Sequence, residues 1–359
     1  MREEHDVHLS GLTTMRVGGP AERLVTVETT DELVDAIREV DDADEPLLVV
    51  AGGSNLVISD EGFAGSVVRI ATTGITVESA DSCGGATIRV AAGEVWDDVV
   101  ARAVAEGWSG IEALSGIPGS AGATPIQNVG AYGQEVAQTI AAVRVWDRRE
   151  QKVHTFANAD CQFTYRHSLF KGESRYVVLE VVFHLRLATL SSPVAYTDLA
   201  RALGVEAGER VPLEEARAAV LAQRRQRGMV LDAADHDTWS CGSFFTNPVM
   251  SISSYAGLQA RAQARLGGGD GPVRVPRFDT PDGQVKTVAA WLIAQAGFGK
   301  GYGMPGPAAL STKHTLAVTN RGSATAADVV ALAREIRDGV QDAFGVSLVN
   351  EPVLVGTSL

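Results

Sequence analysis

Residues 116–133 read GIPGSAGATPIQNVGAYG, and this stretch decides the fold. Five glycines and two prolines among eighteen residues prevent a regular helix or strand from running through it. The stretch is also too apolar for a disordered linker. A long, structured, glycine-rich loop inside a domain is usually functional, and small residues let the backbone pack against a flat ring system. We therefore expect a ligand-binding loop here.

A second glycine-rich segment, residues 51–58, reads AGGSNLVI and follows the apolar run LLVV at 47–50. A Rossmann site would need a GxGxxG turn that opens a helix, whereas Leu56-Val57-Ile58 is typical of a strand. A Gly-Gly-Ser-Asn turn between two strands can still align N–H groups around a pyrophosphate, because glycine permits close backbone approach. By itself this segment predicts only a tight turn, and the longer loop is what favours a ligand-binding interpretation.

The composition indicates a globular protein larger than one ordinary domain. The chain has 359 residues, 45% of them hydrophobic and 21% charged, so two or three domains are expected. A net charge of −13 argues against nucleic acid or an anionic membrane as partner. Without an eighteen-residue apolar run or a signal peptide, we expect a cytoplasmic protein. Three widely spaced cysteines, Cys83, Cys161 and Cys241, fit a reducing compartment.

Apolar periodicity predicts an α+β fold with strands distributed along the chain. The last helix has the clearest pattern, with Thr325 as N-cap, an apolar stripe and Gly345 just past its end. The expected strands are 24–27, 46–50, 67–70, 87–91, 143–147, 152–156, 176–187, 315–319 and 347–355. The expected helices start near Thr30 and cover 95–106, 212–227, 253–266, 286–296 and 325–344.

Residues 242–248, GSFFTNP, form a third distinctive segment. Pro248 has no N–H and pushes Asn247 out of the helical region, so a short strand ending in a turn is predicted. Ser243, a small hydroxyl beside two bulky rings, would then lie at the edge of a site. Taken alone, most such heptads are buried strand ends. A nearby thiol, Cys241, could be reactive, but a small apolar filler is the favoured role.

Four separated segments together resemble the UDP-N-acetylenolpyruvoylglucosamine reductases, the flavoenzymes of peptidoglycan synthesis. They are the two glycine-rich loops, the heptad at 242–248 and residues 163–171, FTYRHSLFK. The two loops in this order are similar to the flavin-binding fold of vanillyl-alcohol oxidase and its relatives. The resemblance covers nearly the whole chain and implies a three-domain α+β flavoenzyme. It implies a two-part FAD-binding module at 1–71 and 72–222, and a substrate-binding α+β domain at 223–349, with the final strand 350–359 returning near the site.

The resemblance also implies roles for individual residues. Ser243 is the implied proton donor, Arg166 binds a substrate carboxylate through its planar guanidinium, and Glu351 is a catalytic carboxyl group. Around Glu351, Asn-Glu-Pro replaces the more usual Pro-Glu order. The implied substrate-binding residues are Tyr132, Tyr196, Arg227, Asn247 and His314. The implied flavin-binding residues are Ala51, Gly52, Gly53, Ser54, Asn55, Leu56, Ile117, Ala123, Thr124, Ile126, Val129, Gly130 and Ala131.

The implied reaction is reduction of FAD by NADPH, followed by reduction of the enolpyruvyl ether of UDP-N-acetylglucosamine to UDP-N-acetylmuramate. We expect non-covalent FAD because neither loop contains a histidine, no metal site because the histidines lack ligand spacing, and a monomer with a small-molecule substrate. Two alternatives remain. One is a flavin-dependent sugar-alcohol oxidase of the same fold, and the other is a non-catalytic nucleotide-sugar-binding homologue. Oxidases often carry a histidine for covalent attachment, and Arg166, Ser243 and Glu351 together favour an enzyme.

Overall fold

The computed structural model describes residues 1–267 and 271–359. Its internal contacts divide the chain into two compact units. Unit 1 comprises Met1–Leu12, Gly19–Gly53 and Gly62–Leu231, and unit 2 comprises Thr13–Gly18, Ser54–Glu61 and Asp232–Leu359. The chain therefore leaves unit 1 between Gly53 and Ser54, in the middle of the first glycine-rich loop.

Helices and strands alternate along both units. The helices are α1 (Thr30–Asp42), α2 (Trp96–Ala105), α3 (Thr197–Leu203), α4 (Leu213–Gln226), α5 (Ile252–Leu266), α6 (Ala289–Ala296) and α7 (Ala326–Phe344). The strands are β1 (Arg2–His8), β2 (Pro20–Val27), β3 (Leu47–Val50), β4 (Leu56–Ile58), β5 (Phe63–Ile70), β6 (Ile75–Asp81), β7 (Gly85–Ala91), β8 (Trp108–Ser109), β9 (Gly130–Ala131), β10 (Gln134–Glu135), β11 (Ile140–Asp147), β12 (Lys152–Ala157), β13 (Tyr176–Leu187), β14 (Val249–Met250), β15 (Phe278–Asp279), β16 (Val285–Lys286), β17 (Ala308–Leu310), β18 (Val318–Asn320) and β19 (Val353–Val355).

Unit 1 begins with a four-stranded sheet of order β1-β2-β5-β3. β2, β5 and β3 run parallel, and β1 pairs with β2 in the antiparallel sense. The crossover helix α1 starts where the Thr29 hydroxyl accepts a hydrogen bond from the Glu32 N–H at 3.2 Å. Its apolar stripe is buried in the core of the unit and consists of Leu33, Ala36, Ile37 and Val40.

A larger antiparallel sheet of order β12-β11-β13-β7-β6 follows, and β8 also pairs with β13. β13 lies at its centre and alternates buried and more exposed residues over much of its length. Helix α2 covers this sheet, and the Trp96 and Phe183 ring centroids lie 5.6 Å apart in the core. Residues 121–123, in the middle of the long glycine-rich loop, pack on β13 and β7 of this sheet.

Unit 2 is built around α7. The Thr325 hydroxyl and the Asp328 carboxylate form a capping box, and Gly345 ends the helix in the left-handed conformation, as predicted. Helices α5 and α6 pack on α7, and the short strands β14 to β18 lie beside them. β19 pairs in parallel with β4, which places the end of the chain next to the strand that follows Asn55.

Most of the predicted elements are confirmed, including β13, the β11–β12 hairpin and α7. Three boundaries were wrong. Helix α6 begins at Ala289 because Lys286 belongs to β16 and the Asn247 side-chain oxygen accepts from the Ala289 N–H at 3.0 Å. β18 begins at Val318 because a turn, closed by the Ala317 N–H on the His314 carbonyl, occupies the residues before it.

The final strand is also shorter than predicted. Only Val353–Val355 is a strand, and Asn350 forms an isolated bridge with Phe245. The heptad at 242–248 is accordingly an extended segment rather than the predicted strand. In the described ranges 1–267 and 271–359, no helix combines the length and apolar character needed to cross a membrane.

Candidate active site

The two glycine-rich loops meet in unit 1. A Cβ placed on Gly52 would lie 2.6 Å from the Cα of Gly119, which is closer than real Cβ contacts allow. Gly53 has φ +56°, a left-handed conformation that favours glycine. Both glycines are thus required by the local backbone. Of the predicted flavin-binding residues in the first loop, Gly52 lies directly against the predicted loop 116–133.

The long loop is fixed to the rest of unit 1 at its first turn. The Gly116 N–H donates to Asp97 Oδ1 at 2.6 Å, and the Arg217 guanidinium binds both oxygens of the same carboxylate at 2.7 and 2.9 Å. Burial alone would raise the pKa of Asp97, but the hydrogen bonds from Arg217 and Gly116 hold it below its usual value. Asp97 therefore stays ionised and anchors the loop to α2 and α4.

The loop backbone continues by pairing with the segment before α2. The Gly122 N–H donates to the Ala92 carbonyl at 2.8 Å, and the Trp96 N–H donates to the Gly119 carbonyl at 3.0 Å. Further along, the predicted residues Ile117, Ile126, Val129 and Ala131 pack their side chains on the core of unit 1. Because these apolar side chains face the core of unit 1, the loop backbone can face a ligand.

The residues at the meeting of the loops suit a flavin dinucleotide. Ser120 is buried, and its hydroxyl has no hydrogen-bond partner among the residues that the structure describes. A buried hydroxyl without a partner is costly, so this group fits a site where a ligand supplies the missing bond. With Gly52 against Gly119, the chain offers close backbone approach, N–H groups and an unused hydroxyl together.

Arg166 lies in a tight turn whose ends, Thr164 and His167, exchange two backbone hydrogen bonds at 3.0 and 3.2 Å. Its φ of +54° is uncommon for a residue with a side chain and marks a strained position. The guanidinium donates to the Gly130 carbonyl at 2.7 Å and to the Asn128 carbonyl at 3.4 Å. The turn therefore delivers a permanent positive charge to the end of the long loop.

The predicted substrate residues of unit 1 form one group. The Tyr132 and Tyr196 rings meet edge to face with centroids 5.9 Å apart, and Arg227 lies 3.5 Å from the Asp198 carboxylate. Tyr196 is 54% exposed at the start of α3. Burial raises the pKa of Tyr132, partly offset by the nearby guanidinium groups of Arg227 and Arg224. Two aromatic rings and cationic groups suit a sugar and an anionic group.

In unit 2 the serine heptad lies between two neighbouring segments. The Phe244 N–H donates to the Leu316 carbonyl at 2.7 Å, and the Glu351 N–H donates to the Phe244 carbonyl at 2.8 Å. Phe244 and Phe245 are buried and hold the segment in the core of the unit. Ser243 is thereby placed on a segment next to the one that carries Glu351, although the two are more than one hundred residues apart in sequence.

The end of the first loop joins the same group. The Asn55 side-chain N–H donates to the Glu351 carbonyl at 3.3 Å, and the Val353 N–H donates to the Asn55 carbonyl at 2.9 Å. Ser54, Asn55 and Leu56 were predicted as flavin-binding residues, and Glu351 as a catalytic one. Unit 2 brings these residues together through the β4–β19 pairing.

His314 and Asn247 each accept a hydrogen bond from a backbone N–H group, which the sequence could not reveal. The Leu316 N–H donates to His314 Nδ1 at 3.0 Å, so the neutral imidazole carries its proton on Nε2. The His314 loop is itself held by Asp237, whose buried carboxylate binds Thr312 and Arg321. Asn247 uses its side-chain oxygen on Ala289.

Two further groups have ordinary explanations. Cys241 is buried, which raises the pKa of its thiol to about 12, and Sγ donates to the Leu56 carbonyl at 3.4 Å. The interpretation of Cys241 as a filler is therefore favoured over a reactive thiol.

Among the described residues one cluster, Asp147, Glu150 and His154, has metal-ligand spacing, but Arg175 binds Asp147 through both oxygens.

Comparisons with known proteins agree with this arrangement. The family model for the C-terminal domain of UDP-N-acetylenolpyruvoylglucosamine reductase matches residues 233–355, and that for an FAD binding domain matches residues 21–156. A UDP-N-acetylenolpyruvoylglucosamine reductase of Streptomyces avermitilis is 57% identical over 361 residues, covering 100% of this chain and 96% of the relative. The chain belongs to the UDP-N-acetylenolpyruvoylglucosamine reductase family. Within this family, the enzyme of Thermobifida fusca is 53% identical, covering 99% of this chain and 98% of its own.

A crystal structure of another family member has a similar fold. The crystal structure of UDP-N-acetylenolpyruvylglucosamine reductase (MurB) from Thermus caldophilus aligns with a TM-score of 0.65 and 27% identity, and 99% of each chain is covered. This family membership confirms the α+β flavoenzyme fold that the sequence predicted. The roles of individual residues stay predictions.

Three residues near the site were missed as candidates from sequence. Asp97 and Asn128 hold the long loop, and Arg224 lies beside Tyr132. Burial lowers the pKa of Arg224 to about 10, its Nη2 donates to the Met229 carbonyl at 2.7 Å, and its Nε has no partner within the described part of the chain. The sequence signal for Arg224 was the basic run at 224–227. Arg224 precedes the predicted residue Arg227 by three positions, which is about one helical turn, so both lie on the same face.

Proposed function

We propose that this chain carries out the UDP-N-acetylenolpyruvoylglucosamine reductase reaction with Ser243, Arg166 and Glu351 as its catalytic residues. The chain is an FAD-dependent oxidoreductase with NADPH as reductant, and its substrate is a nucleotide sugar. One observation carries the assignment of roles. The segment that carries the Ser243 hydroxyl and the segment that carries the Glu351 carboxyl group are distant in sequence. In unit 2 they are neighbours, because the Glu351 N–H donates to the Phe244 carbonyl.

Charge develops on the substrate carboxylate during the reaction, and two residues are suited to stabilise it. Bound FAD, once reduced by NADPH, supplies the hydride that adds to the enolpyruvyl double bond. Arg166 offers a planar guanidinium that cannot lose its charge and that the Gly130 carbonyl already orients. Glu351, when protonated, donates a hydrogen bond to the same developing charge. Groups preorganised in this way commonly give the largest single contribution to catalysis.

Ser243 completes the reaction by giving a proton to the neighbouring carbon. A serine is a weak acid in water, but an enolate is basic enough to take its proton when both are shielded from solvent. The next residue, Phe244, is hydrogen-bonded through its backbone to Leu316 and to Glu351, and these bonds hold the extended segment that carries the Ser243 hydroxyl. Gly242, with φ +72°, starts that segment in a conformation that favours glycine.

The remaining site residues are proposed to bind the rest of the ligands. The residues proposed to contact the nucleotide sugar are Tyr132, Tyr196, Arg227, Asn247 and His314. We propose non-covalent FAD on the two glycine-rich loops, a monomeric protein and a cytoplasmic location. We also propose three domains, at 1–71, 72–222 and 223–349, with residues 350–359 returning near the site. The family match favours the reductase over a sugar-alcohol oxidase.

The test separates the two half-reactions. In Ser243→Ala, FAD binding and flavin reduction by NADPH should stay near wild type, since one hydroxyl is lost and little volume changes. Reoxidation by the enolpyruvyl nucleotide sugar should slow by about 10²–10⁴-fold, the usual worth of a positioned acid. Anaerobic stopped-flow absorbance of the reduced flavin, mixed with substrate, measures this rate. Ser243→Cys should retain part of the activity, because a thiol can also donate.

Ser253→Ala is the matched control, because Ser253 is an exposed serine of the same unit whose hydroxyl bonds only to Ser251 in the described structure. It should leave both half-reactions unchanged. Wild-type reoxidation in Ser243→Ala would remove this residue from the mechanism. Loss of FAD binding or of flavin reduction by NADPH in Ser243→Ala would point to a folding defect instead.

A further inference from the structure

Asn128 occupies a strained position inside the long loop. Its side chain is buried, with only 1% of the residue exposed, and its φ is +46°. Asparagine tolerates this left-handed backbone better than most residues, because its short polar side chain can bond locally. Strain of this kind persists only where surrounding contacts enforce it.

Each polar atom of the Asn128 side chain is used. Nδ2 donates to the Glu135 carboxylate at 2.9 Å and to the Thr164 carbonyl at 3.1 Å, and Oδ1 accepts from the Ala137 N–H at 3.1 Å. Glu135 and Ala137 follow the loop directly, so these two bonds close the loop on itself. The bond to Thr164 is different, since it reaches the turn that carries Arg166.

The backbone around Asn128 also reaches the guanidinium. Arg166 Nη1 donates to the Asn128 carbonyl at 3.4 Å, and Nη2 donates to the Gly130 carbonyl at 2.7 Å. Asn128 therefore makes two contacts with this element: its side chain bonds to Thr164, at the start of the turn, and its carbonyl accepts from the Arg166 guanidinium. A Cβ on Gly130 would lie 3.1 Å from Arg166 Nη1, so the head also packs closely on the loop.

We propose that Asn128 is a positioning residue that fixes the direction of the Arg166 guanidinium toward the substrate carboxylate. This inference rests on the proposed role of Arg166. An arginine side chain has many rotamers, and two parallel bonds to a carboxylate form only when its plane is held in one orientation. Misplacement by about 1 Å can cost on the order of 100-fold in rate. Asn128 stabilises that orientation without contacting substrate.

A double-mutant cycle between Asn128 and Arg166 tests this proposal. Asn128→Gly removes the amide but keeps a residue that accepts φ +46°, and Asn128→Asp keeps the shape while replacing the N–H donor to Thr164 and Glu135 by an oxygen. Each should slow flavin reoxidation by the enolpyruvyl substrate on the order of 10-fold to 100-fold. Reduction by NADPH and FAD content should change little. In an Arg166→Ala background, the same substitutions should change reoxidation by less than about 2-fold, because coupled residues are not additive.

Asn158→Ala is the matched control. The Asn158 amide donates to the Ala137 and Ile140 carbonyls at 2.8 Å, so it braces the same segment without reaching the Arg166 turn. Its effect should be the same in both backgrounds. If Asn128→Gly and Asn128→Asp slow reoxidation equally with and without Arg166, the positioning role is wrong. If Arg166→Ala itself leaves reoxidation at the wild-type rate, the proposed function of Arg166 fails instead.

Discussion

Several residues assigned to the site have backbones that cost energy to hold. Asn128, Tyr132 and Arg166 all have φ between +46° and +54°, where residues with a Cβ are uncommon. Each lies in the long loop or in the turn bonded to it. Such strain persists where neighbouring contacts enforce it, and the bonds from Arg166 to the Asn128 and Gly130 carbonyls are contacts of this kind.

Gly52 gives the most direct test of the flavin loops. Gly52→Ala should lower FAD occupancy and the stability of the protein by more than the roughly 0.5–1 kcal/mol of an ordinary glycine-to-alanine exchange. The reason is the 2.6 Å approach of the new Cβ to the Gly119 backbone, which must move. The ratio of flavin absorbance to protein absorbance after purification measures occupancy.

Gly11→Ala is the control for that substitution. Gly11 is in the same unit, its backbone is not left-handed, and a Cβ there would meet no described atom within 4 Å. It should keep full occupancy. If Gly52→Ala also keeps its flavin, the first glycine-rich loop is only a turn.

Tyr196 is predicted to cover the bound nucleotide sugar. Its ring is largely exposed and makes an edge contact with Tyr132, so substrate can gain contact area from it. Tyr196→Ala should raise KM for the enolpyruvyl substrate about 10-fold, which corresponds to the loss of about 1.4 kcal/mol of binding. Tyr196→Phe should lie between Ala and wild type, and flavin reduction by NADPH should not change. Unaltered KM in both variants would place Tyr196 outside the site.

At the level of elements, local signals predicted most of the fold. The β11–β12 hairpin and α7 were found because their turns, caps and apolar stripe are written within one segment. Helix α6 and the final strand were misplaced because distant residues set their limits. The carboxamide of Asn247 caps Ala289 from 42 residues away, and Phe245 is the bridge partner of Asn350.

The site residues, like the elements, include some that local sequence reveals and others that depend on distant contacts. Ser243, Arg166 and Glu351 stood out because their segments are distinctive as sequence. Asn128 lies in the long glycine-rich loop, but its proposed role depends on its φ and on its bond to the Thr164 carbonyl, 36 residues away. Sequence spacing alone could not show that bond.

The β11–β12 hairpin depends on a buried carboxylate. Asp147 is buried, and the Arg175 guanidinium binds it through both oxygens, while the Arg149 and Glu150 N–H groups also donate to it. The bonds from Arg175 outweigh burial and lower the pKa of Asp147 from 3.8 to about 2. Asp147→Asn should lower the thermal midpoint at pH 7 by about 1–3 °C, the range for about 1–2 kcal/mol in a chain of 359 residues.

The sign of the pH dependence follows from the lowered pKa. A carboxylate with a depressed pKa stabilises the fold above its unfolded pKa, and this contribution is lost as pH falls through about 2. The difference between wild type and Asp147→Asn should be constant from pH 7 to pH 5 and shrink below about pH 4. Glu150→Gln, which removes an exposed carboxylate that pairs with Arg175, Lys152 and His154, should have little effect at any pH. A difference that grows on acidification would contradict this assignment.

On the scale of the whole molecule, each unit has its own set of assigned residues. Unit 1 contains Gly52 against the long loop, the Arg166 turn and the tyrosine pair, and unit 2 contains the paired segments of Ser243 and Glu351. The chain passes from one unit to the other inside the first glycine-rich loop, so that loop is covalently part of both. Flavin binding is therefore expected to influence the stability of the entire chain.

The last prediction concerns how FAD is held. Neither loop contains a histidine, so acid precipitation should release intact FAD into the supernatant and leave a colourless pellet. After removal of the flavin, added FAD should raise the thermal midpoint in a concentration-dependent way, since a ligand at about 100 times its Kd stabilises by about 2.7 kcal/mol. Riboflavin should raise it much less, because it lacks the pyrophosphate that Gly52 and Gly53 are proposed to approach. Equal stabilisation by riboflavin and FAD would show that the first loop does not bind the pyrophosphate, and flavin retained in the pellet would show a covalent bond.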